Sequence, residues 1–233
     1  AHWRVQVWDE HNAVSTWSEA ARFRIGLRQE SDWTARWIAS RDNTPLHTRR
    51  DTLHLPPAQH FRSEFSAPKP ILRATLYASA LGLYDAHLNG KRVGDAYFQP
   101  GWSDYRQRAH YRAHDVTALI QPGRNALGFV LAEGWYAGYV GYGLLVGYGP
   151  EKSGRNFYGK TPALRAQLEL EYADGTREVI RTGPDWRVTS AGPIREADLI
   201  MGETCDARRE LTGWDRAGFA DHTWEQAIPA EAN

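Results

Sequence analysis

The chain has 233 residues with 28 basic and 28 acidic side chains, so its formal net charge is zero. This balance gives no electrostatic support for a nucleic-acid partner, and an aromatic content of 12% excludes global disorder. Because no apolar run reaches membrane-spanning length and no secretory leader is visible, we expect no membrane partner, and the localisation stays unknown. A single cysteine excludes an internal disulfide framework and a cysteine-rich zinc site.

Residues 1–27 have the pattern of a small two-stranded element. Alternation at His2–Trp8 and again at Phe23–Ile25 predicts two strands, with a turn between them at Asp9–Asn12. Two strands cannot make a sandwich, so we interpret them as the C-terminal strands of a truncated module. The alternative is that they belong to the domain that follows.

Residues 28–216 predict one large all-β domain. Asn89–Gly90 favours the type I′ turn of a hairpin, and Ala173–Gly175 turns a second hairpin. Ala126–Ala132 is mostly apolar, which suits a strand buried on both faces. Many short strands with regular turns indicate an antiparallel sandwich or barrel.

Three segments depart from this alternating pattern. Residues 41–57 are proline-bearing and predict a connector, and the small, polar residues 217–233 predict a linker toward another domain. Residues 134–159 hold eight glycines and five tyrosines. Glycine permits sharp backbone turns and tyrosine offers an apolar face with a polar tip. This loop is therefore predicted to be the functional face, touching either a sugar or a neighbouring domain.

Several segments carry a family resemblance. Asn89–Gly94, followed by Asp115–Gly128, resembles the jelly-roll domain at the front of many glycoside hydrolases. Further segments resemble the N-terminal β-sandwich of bacterial α-L-rhamnosidases, and these are Pro100–Tyr105, Glu133–Gly138 and Gly202–Arg208, with Trp33–Ile38 fitting the first strand of that domain. The head, with Trp3–Trp8 and Trp17–Glu19, resembles the last strands of a preceding fibronectin-like or immunoglobulin-like module. Cys205 departs from the family pattern, which usually has an aromatic residue there.

The resemblance implies both a fold and a role. The implied fold is an all-β, antiparallel jelly-roll sandwich of galactose-binding type. In this family an inverting hydrolysis of terminal L-rhamnose is carried out by a separate (α/α)₆ barrel. We therefore expect an inactive accessory domain that supports the barrel and its substrate pocket, with the barrel as its partner. The alternative is an autonomous carbohydrate-binding module for L-rhamnose-containing glycans, which would be calcium-dependent in one version.

The candidate carbohydrate-binding or pocket-rim residues lie in two motifs. Glu133, Trp135 and Tyr136 open the glycine- and tyrosine-rich loop, where an indole can stack on a sugar ring and a carboxylate can accept hydroxyl hydrogen bonds. The alternative is that Trp135 plugs the end of the sandwich and Glu133 caps a strand. Trp102 and Asp104 follow a turn signal, and their alternative role is turn architecture.

Acidic residues on loops raise two further possibilities. Glycoside hydrolysis needs a pair of carboxylates, and the loop candidates are Asp104, Glu133, Glu151 and Glu203. Among 28 acidic residues a chance pair is expected, so we predict no catalytic residue here. Calcium prefers six to eight oxygen ligands, which Asp104, Glu133 and Asn156 could supply in part. No contiguous calcium loop is present, and no other cofactor is expected.

Overall fold

The structure is a computed structural model that describes residues 1–23, 25–47, 55–140 and 154–231. It divides the chain into two compact units, Ala1–Trp33 and Thr34–Asn233. The boundary expected after residue 27 falls inside the first unit. No helix in these described ranges is long and apolar enough to cross a membrane.

The first unit is an antiparallel ribbon. Strand β1 (His2–Trp3) pairs with β2 (Ala21–Arg22), and the ribbon reverses where Asp9 Oδ1 accepts the backbone N–H groups of His11 and Ala13. This is the turn that the sequence predicts. The ribbon's large apolar side chains are exposed, and they are Trp3, Val5, Val7, Trp8, Val14, Trp17, Phe23 and Ile25.

The second unit is built from two six-stranded antiparallel sheets and a separate hairpin. The first sheet contains β3 (Ile38–Ala39), β5 (Ile71–Leu81), β8 (Tyr111–Asp115), β10 (Ala163–Tyr172), β11 (Arg177–Arg181) and β16 (Ile228–Pro229). Its order is β16-β3-β10-β5-β8, and β11 also pairs with β10. The second sheet contains β4 (Gln59–Ala67), β6 (Leu83–Leu88), β7 (Lys91–Arg92), β9 (Gly123–Ala132), β12 (Arg187–Thr189) and β15 (Glu225–Gln226). Its order is β15-β12-β4-β9-β6-β7.

Short elements complete the second unit. The separate hairpin joins β13 (Ile194–Asp198) to β14 (Gly202–Cys205), and a short helix, α1, spans Gly134–Ala137. One-turn 3₁₀ helices occupy Thr117–Leu119 and Ala207–Arg209. Nearly all of the described structure is therefore antiparallel β, which confirms the predicted fold class.

The core lies between the two sheets because alternate side chains of the long strands point inward. Leu76 and Leu168 project from the first sheet, Phe61 and Phe129 from the second, and all four are fully buried. In β9 residues 125–129 are buried without interruption, and residues 126–129 of this run belong to the apolar segment predicted to be a buried strand.

Both predicted hairpins form. Between β6 and β7, Asn89 and Gly90 have φ values of +54° and +81°, as a type I′ turn requires. Between β10 and β11 the chain turns at Gly175, where φ is +82°. Glycine is favoured at such positions because it carries no Cβ to clash in the left-handed region.

The segment predicted to be a linker is instead part of the sandwich over much of its length. Strand β15 pairs with β12, β16 pairs with β3, and Trp224 is buried. The linker prediction was wrong there because a few apolar residues, spaced among polar ones, suffice to hold a segment whose backbone pairs with existing strands.

A buried arginine on the second sheet binds residues 214–216, which lie just before this segment. Arg62, on β4, is 1% exposed and donates to the carbonyl oxygens of Trp214 (2.8 Å) and Arg216 (3.1 Å). Its guanidinium also donates to Glu64 Oε1 at 2.7 Å and contacts the Asp221 carboxylate. We call this set of contacts the Arg62 clasp.

The indole of Trp214 lies directly on the second sheet beside the Arg62 clasp. A Cβ placed on Gly128 would come within 2.4 Å of this indole, so the glycine is what permits the close approach. The rings of His60 and His87 flank the indole, with centroids 5.0 and 5.3 Å from it. His87 Nδ1 also lies 3.0 Å from Asp215 Oδ2.

Candidate functional site

The candidate residues of the glycine- and tyrosine-rich loop lie at the end of β9. Glu133 follows the strand directly, and α1 begins at Gly134, where φ is +51°. A Cβ at Gly134 would meet Leu83 Cγ at 2.5 Å, so the chain can turn tightly here only with glycine. Residues 141–153 of the predicted functional loop, including Tyr142, lie outside the described residues.

Glu133 forms a buried ion pair with Arg155. The two residues are 3% and 7% exposed, and an Arg155 nitrogen lies 2.5 Å from Glu133 Oε1 and also contacts the second carboxylate oxygen. Burial raises the pKa of the Glu133 carboxyl to about 7, with Arg155 opposing the shift and Asp198 adding to it. The carboxylate is thereby committed to an internal partner.

Two amides extend this buried polar cluster. Gln59 Nε2 donates to Asn43 Oδ1 at 3.0 Å, and Asn43 Nδ2 donates to the Lys160 carbonyl oxygen at 2.9 Å. The Asn43 side chain also hydrogen-bonds Glu133. Gln59 is 2% exposed, and its Oε1 is buried and accepts no hydrogen bond from the described part of the chain. The sequence pattern gives no signal for either amide, because Asn43 and Gln59 precede Glu133 by 90 and 74 residues.

 Only the folded chain brings Asn43 and Gln59 to the end of β9, so local sequence reasoning could not have found them.

Tyr136 is part of a small second core. It is 6% exposed, its ring packs edge-on against Tyr105 at 5.3 Å, and a Cβ on Gly159 would collide with its hydroxyl. Burial raises the pKa of its phenol. The Tyr136 side chain is therefore buried among other aromatic rings, and its role at a carbohydrate site or pocket rim stays a prediction.

Trp135 belongs to a layer of surface aromatic rings. It is half-buried, and its indole stacks on that of Trp102 with centroids 5.9 Å apart and planes 6° apart. Phe98 packs edge-on against Trp135 at 6.4 Å. Trp102 is 51% exposed, and its Nε1 donates to the Tyr158 hydroxyl at 3.3 Å. We call Phe98, Trp102 and Trp135 the aromatic layer, and its outer rings are available to a ligand or a neighbouring domain.

Asp104 has the geometry of a turn-forming residue. Its Oδ1 accepts hydrogen bonds from the backbone N–H and the Nε of Arg106, at 3.2 and 3.0 Å, and its Oδ2 accepts one from Gln107 Nε2 at 3.3 Å. The hydrogen bond from the Arg106 side chain lowers the pKa of the Asp104 carboxyl. This arrangement matches the turn-architecture alternative.

The calcium candidates do not form a ready ligand set. Glu133 is held by Arg155 and Asp104 by Arg106, while the backbone N–H of Asn156 donates to the Ala137 carbonyl oxygen at 3.1 Å. In the part of the chain that the structure describes, no three or more His, Cys, Asp or Glu side chains are grouped as metal ligands. Calcium binding therefore stays a prediction.

The two remaining candidate carboxylates on loops are Glu151 and Glu203. Glu151 lies outside the described residues, whereas Glu203 is exposed on β14. Glu203 borders a groove of about 430 Å³ between the second sheet and the β13–β14 hairpin, which we call the outer groove. Its lining includes Leu83, Asp85, Tyr97, Phe98, Val130, Ala132, Ile194, Asp198, Leu199 and Glu203. The sequence did not predict this groove, because it requires the β13–β14 hairpin to lie against β6 and β9, which end more than 60 residues before the hairpin begins.

The fold and the site together define a class of protein. It is an antiparallel β-sandwich with aromatic rings on its surface and with arginines paired to two of its candidate carboxylates. Residues 69–233 match the family described as the alpha-L-rhamnosidase N-terminal domain, and residues 1–29 match the Rha78A-like N-terminal immunoglobulin domain. The chain belongs to the α-L-rhamnosidase N-terminal domain family.

Individual relatives agree with this assignment. An α-L-rhamnosidase of Streptomyces avermitilis is 55% identical over 72% of this chain, and one of Alteromonas sp. is 37% identical over 97% of it. The solved structure of the native α-L-rhamnosidase from Aspergillus terreus superposes with a TM-score of 0.85, at 34% identity over 99% of this chain. The chain spans 15%, 24% and 25% of these three proteins, respectively.

Proposed function

We propose that this chain is a non-catalytic accessory domain of an α-L-rhamnosidase, which supports a catalytic barrel and its substrate pocket. The observation that carries the proposal is the state of Glu133 and Asp104, two of the four candidate carboxylates. Glycoside hydrolysis needs two carboxyl groups free to act on the scissile bond. Glu133 is instead buried against Arg155, and Asp104 is bound by Arg106.

The aromatic layer supports the docking half of the proposal. Trp102 and Phe98 are 51% and 60% exposed, and the half-buried ring of Trp135 packs against both of them. Exposed aromatic rings of this kind are enriched at the centres of protein interfaces. The partner that we propose for this surface is the catalytic barrel.

A hydrolysis assay tests the non-catalytic role. The purified chain should release no nitrophenol from p-nitrophenyl α-L-rhamnoside. Any trace activity should be unchanged in Glu133→Gln and Asp104→Asn, because neither residue is proposed to act chemically. Turnover that persists through purification and disappears in either variant would contradict the proposal.

A second candidate function is carbohydrate binding, which one observation favours. Gln59 Oε1 is a buried acceptor to which no described residue donates, and it lies in the cluster with Asn43 and Glu133. A buried acceptor that no described residue satisfies is costly, and a sugar hydroxyl that entered the cluster would satisfy it. In this version the ligand is an L-rhamnose-containing glycan, and calcium is its co-ligand in the calcium-dependent version.

Isothermal titration with L-rhamnose, with and without calcium, tests this second candidate. Binding heat that is lost in Gln59→Leu and retained in Gln226→Leu, which changes an exposed glutamine on β15, would support it. Heat that appears only with calcium would support the calcium-dependent version. No heat under either condition would contradict sugar binding at this cluster.

A further inference from the structure

We propose that the outer groove is a separate binding site for a pyranose ring that carries no anionic substituent. The groove lies on the outer side of the second sheet, and its volume of about 430 Å³ is within the range of small-molecule sites. Its described lining excludes the side chains of the Gln59 cluster and shares Phe98 with the aromatic layer, so this inference does not rest on sugar binding at the Gln59 cluster.

One wall of the groove is aromatic and fixed in place. Tyr97 is 75% exposed, yet the Arg92 guanidinium lies 4.7 Å from the centre of its ring. Arg92 is in turn held at 2.6 Å by Asp85 Oδ1 and at 2.6 Å by the Ala96 carbonyl oxygen. The Tyr97 ring is therefore anchored by a cation–π contact while much of it remains open to solvent.

The neighbouring residue is held in an unusual conformation. Phe98 has a φ of +56°, in the left-handed region that non-glycine residues rarely occupy, and it presents a largely exposed ring. Its edge-on contact with Trp135 fixes the ring's position. Backbone strain of this kind clusters at ligand-binding sites, where it holds side chains ready for use.

The floor and the mouth of the groove have different chemistry. The aliphatic part of the lining, which we call the floor, includes Leu83, Val130 and Ile194. An aliphatic floor beside a flat aromatic wall matches the apolar C–H face of a pyranose. The exposed carboxylate of Glu203, which we place at the mouth of the groove, would then accept hydrogen bonds from the ring hydroxyl groups.

Charge narrows the choice of sugar. The described lining residues include the carboxylates Asp85, Asp198 and Glu203, and they include no Lys, Arg or His. Arg92 neutralises Asp85, and backbone N–H groups of Tyr139 and Ile200 bind Asp198. Glu203 is exposed and forms no ion pair within the described ranges, so the mouth of the groove is negative and should repel uronate or sulfate groups.

A matched pair of ligands tests the proposal by NMR titration of the whole chain. Methyl β-D-glucopyranoside and methyl β-D-glucuronide differ only at C6, which is a hydroxymethyl group in the first and a carboxylate in the second. We expect the neutral glycoside to bind about fivefold more tightly at low salt, because one like-charge contact across the groove is worth about 1 kcal/mol. Glu203→Gln should narrow this difference, and Glu210→Gln, which changes an exposed glutamate outside the lining, should leave it unchanged.

The aromatic wall is tested by separate variants. Tyr97→Ala and Phe98→Ala should each weaken binding of the neutral glycoside by about five- to tenfold, and Phe23→Ala, which removes an exposed ring of the first unit, should have no effect. Gln59→Leu should also leave this binding intact. Absence of binding by the unmodified chain, unchanged binding in Tyr97→Ala, or equal binding of the glucuronide would overturn the proposal.

Discussion

Replacing Arg62 with alanine should destabilise the second unit more than any exposed arginine replacement. The side chain is 1% exposed and satisfies the carbonyl oxygens of Trp214 and Arg216 together with the carboxylates of Glu64 and Asp221. Removing one partner of a buried charged pair costs about 3–5 kcal/mol. Because the two carboxylates are 24% and 26% exposed, water can partly replace the guanidinium, which favours the lower end, about 3 kcal/mol.

Arg124 provides a matched control for this prediction. It also pairs with Glu64, at 2.7 Å, but its side chain is 71% exposed. Arg124→Ala should therefore cost no more than about 1 kcal/mol. Thermal unfolding followed by circular dichroism should show a loss of about 6–12 °C in Tm for Arg62→Ala and about 4 °C or less for Arg124→Ala.

A further variant separates charge from geometry at the Arg62 clasp. Arg62→Lys keeps the positive charge, but a single ammonium group cannot reach all four acceptors in the planar arrangement of a guanidinium. Its Tm should fall between those of the unmodified chain and Arg62→Ala. If Arg62→Ala and Arg124→Ala lowered Tm equally, the reasoning from burial would be refuted.

The remaining predictions concern acid stability and ring packing. Burial lowers the pKa of His60 from 6.5 to about 4, so stability present above pH 6.5 should be lost as the pH falls toward 4, by about 3 kcal/mol in total; urea titrations of His60→Leu should lack this component. Trp135→Ala should lower the free energy of unfolding by less than the roughly 3–5 kcal/mol expected for the fully buried Trp186→Ala, and equal losses would show that Trp135 is a core plug. Gly128→Ala should displace the indole of Trp214, cost about 1–3 kcal/mol and shift tryptophan emission; an unchanged spectrum and Tm would contradict the close packing.

The features that the sequence predicted are those encoded locally. Asn89–Gly90 specifies its hairpin because both residues adopt positive φ readily. The alternation of residues 163–172 specifies a strand with one buried face and one partly exposed face. The family resemblance added the identity of the domain, because it draws on motifs spread along the chain. Turn chemistry also made the alternative role of Asp104 visible before the structure was known.

The features that the sequence did not predict depend on contacts between distant residues. Nothing near Arg62 in the sequence indicates that residues 214–221 will supply its acceptors. Glu133 was visible as a carboxylate after a buried strand, but its partner Arg155 could not be chosen from the many arginines of the chain. Trp135 and Tyr136 are adjacent, and only packing shows that one ring is half-exposed while the other is buried.

The Arg62 clasp has a consequence for the order in which the domain is completed during synthesis. Arg62 bonds to Trp214, which lies 152 positions later in the chain. Until that segment leaves the ribosome, the Arg62 guanidinium lacks the carbonyl oxygens of Trp214 and Arg216. The surface of Gly128 is also not yet covered by the indole of Trp214. Contacts of such long sequence separation form late and slowly. Nascent chains shorter than residue 221 should therefore expose the second sheet to chaperones and proteases, and arrest at increasing lengths should show protection arriving in one step once the clasp can close.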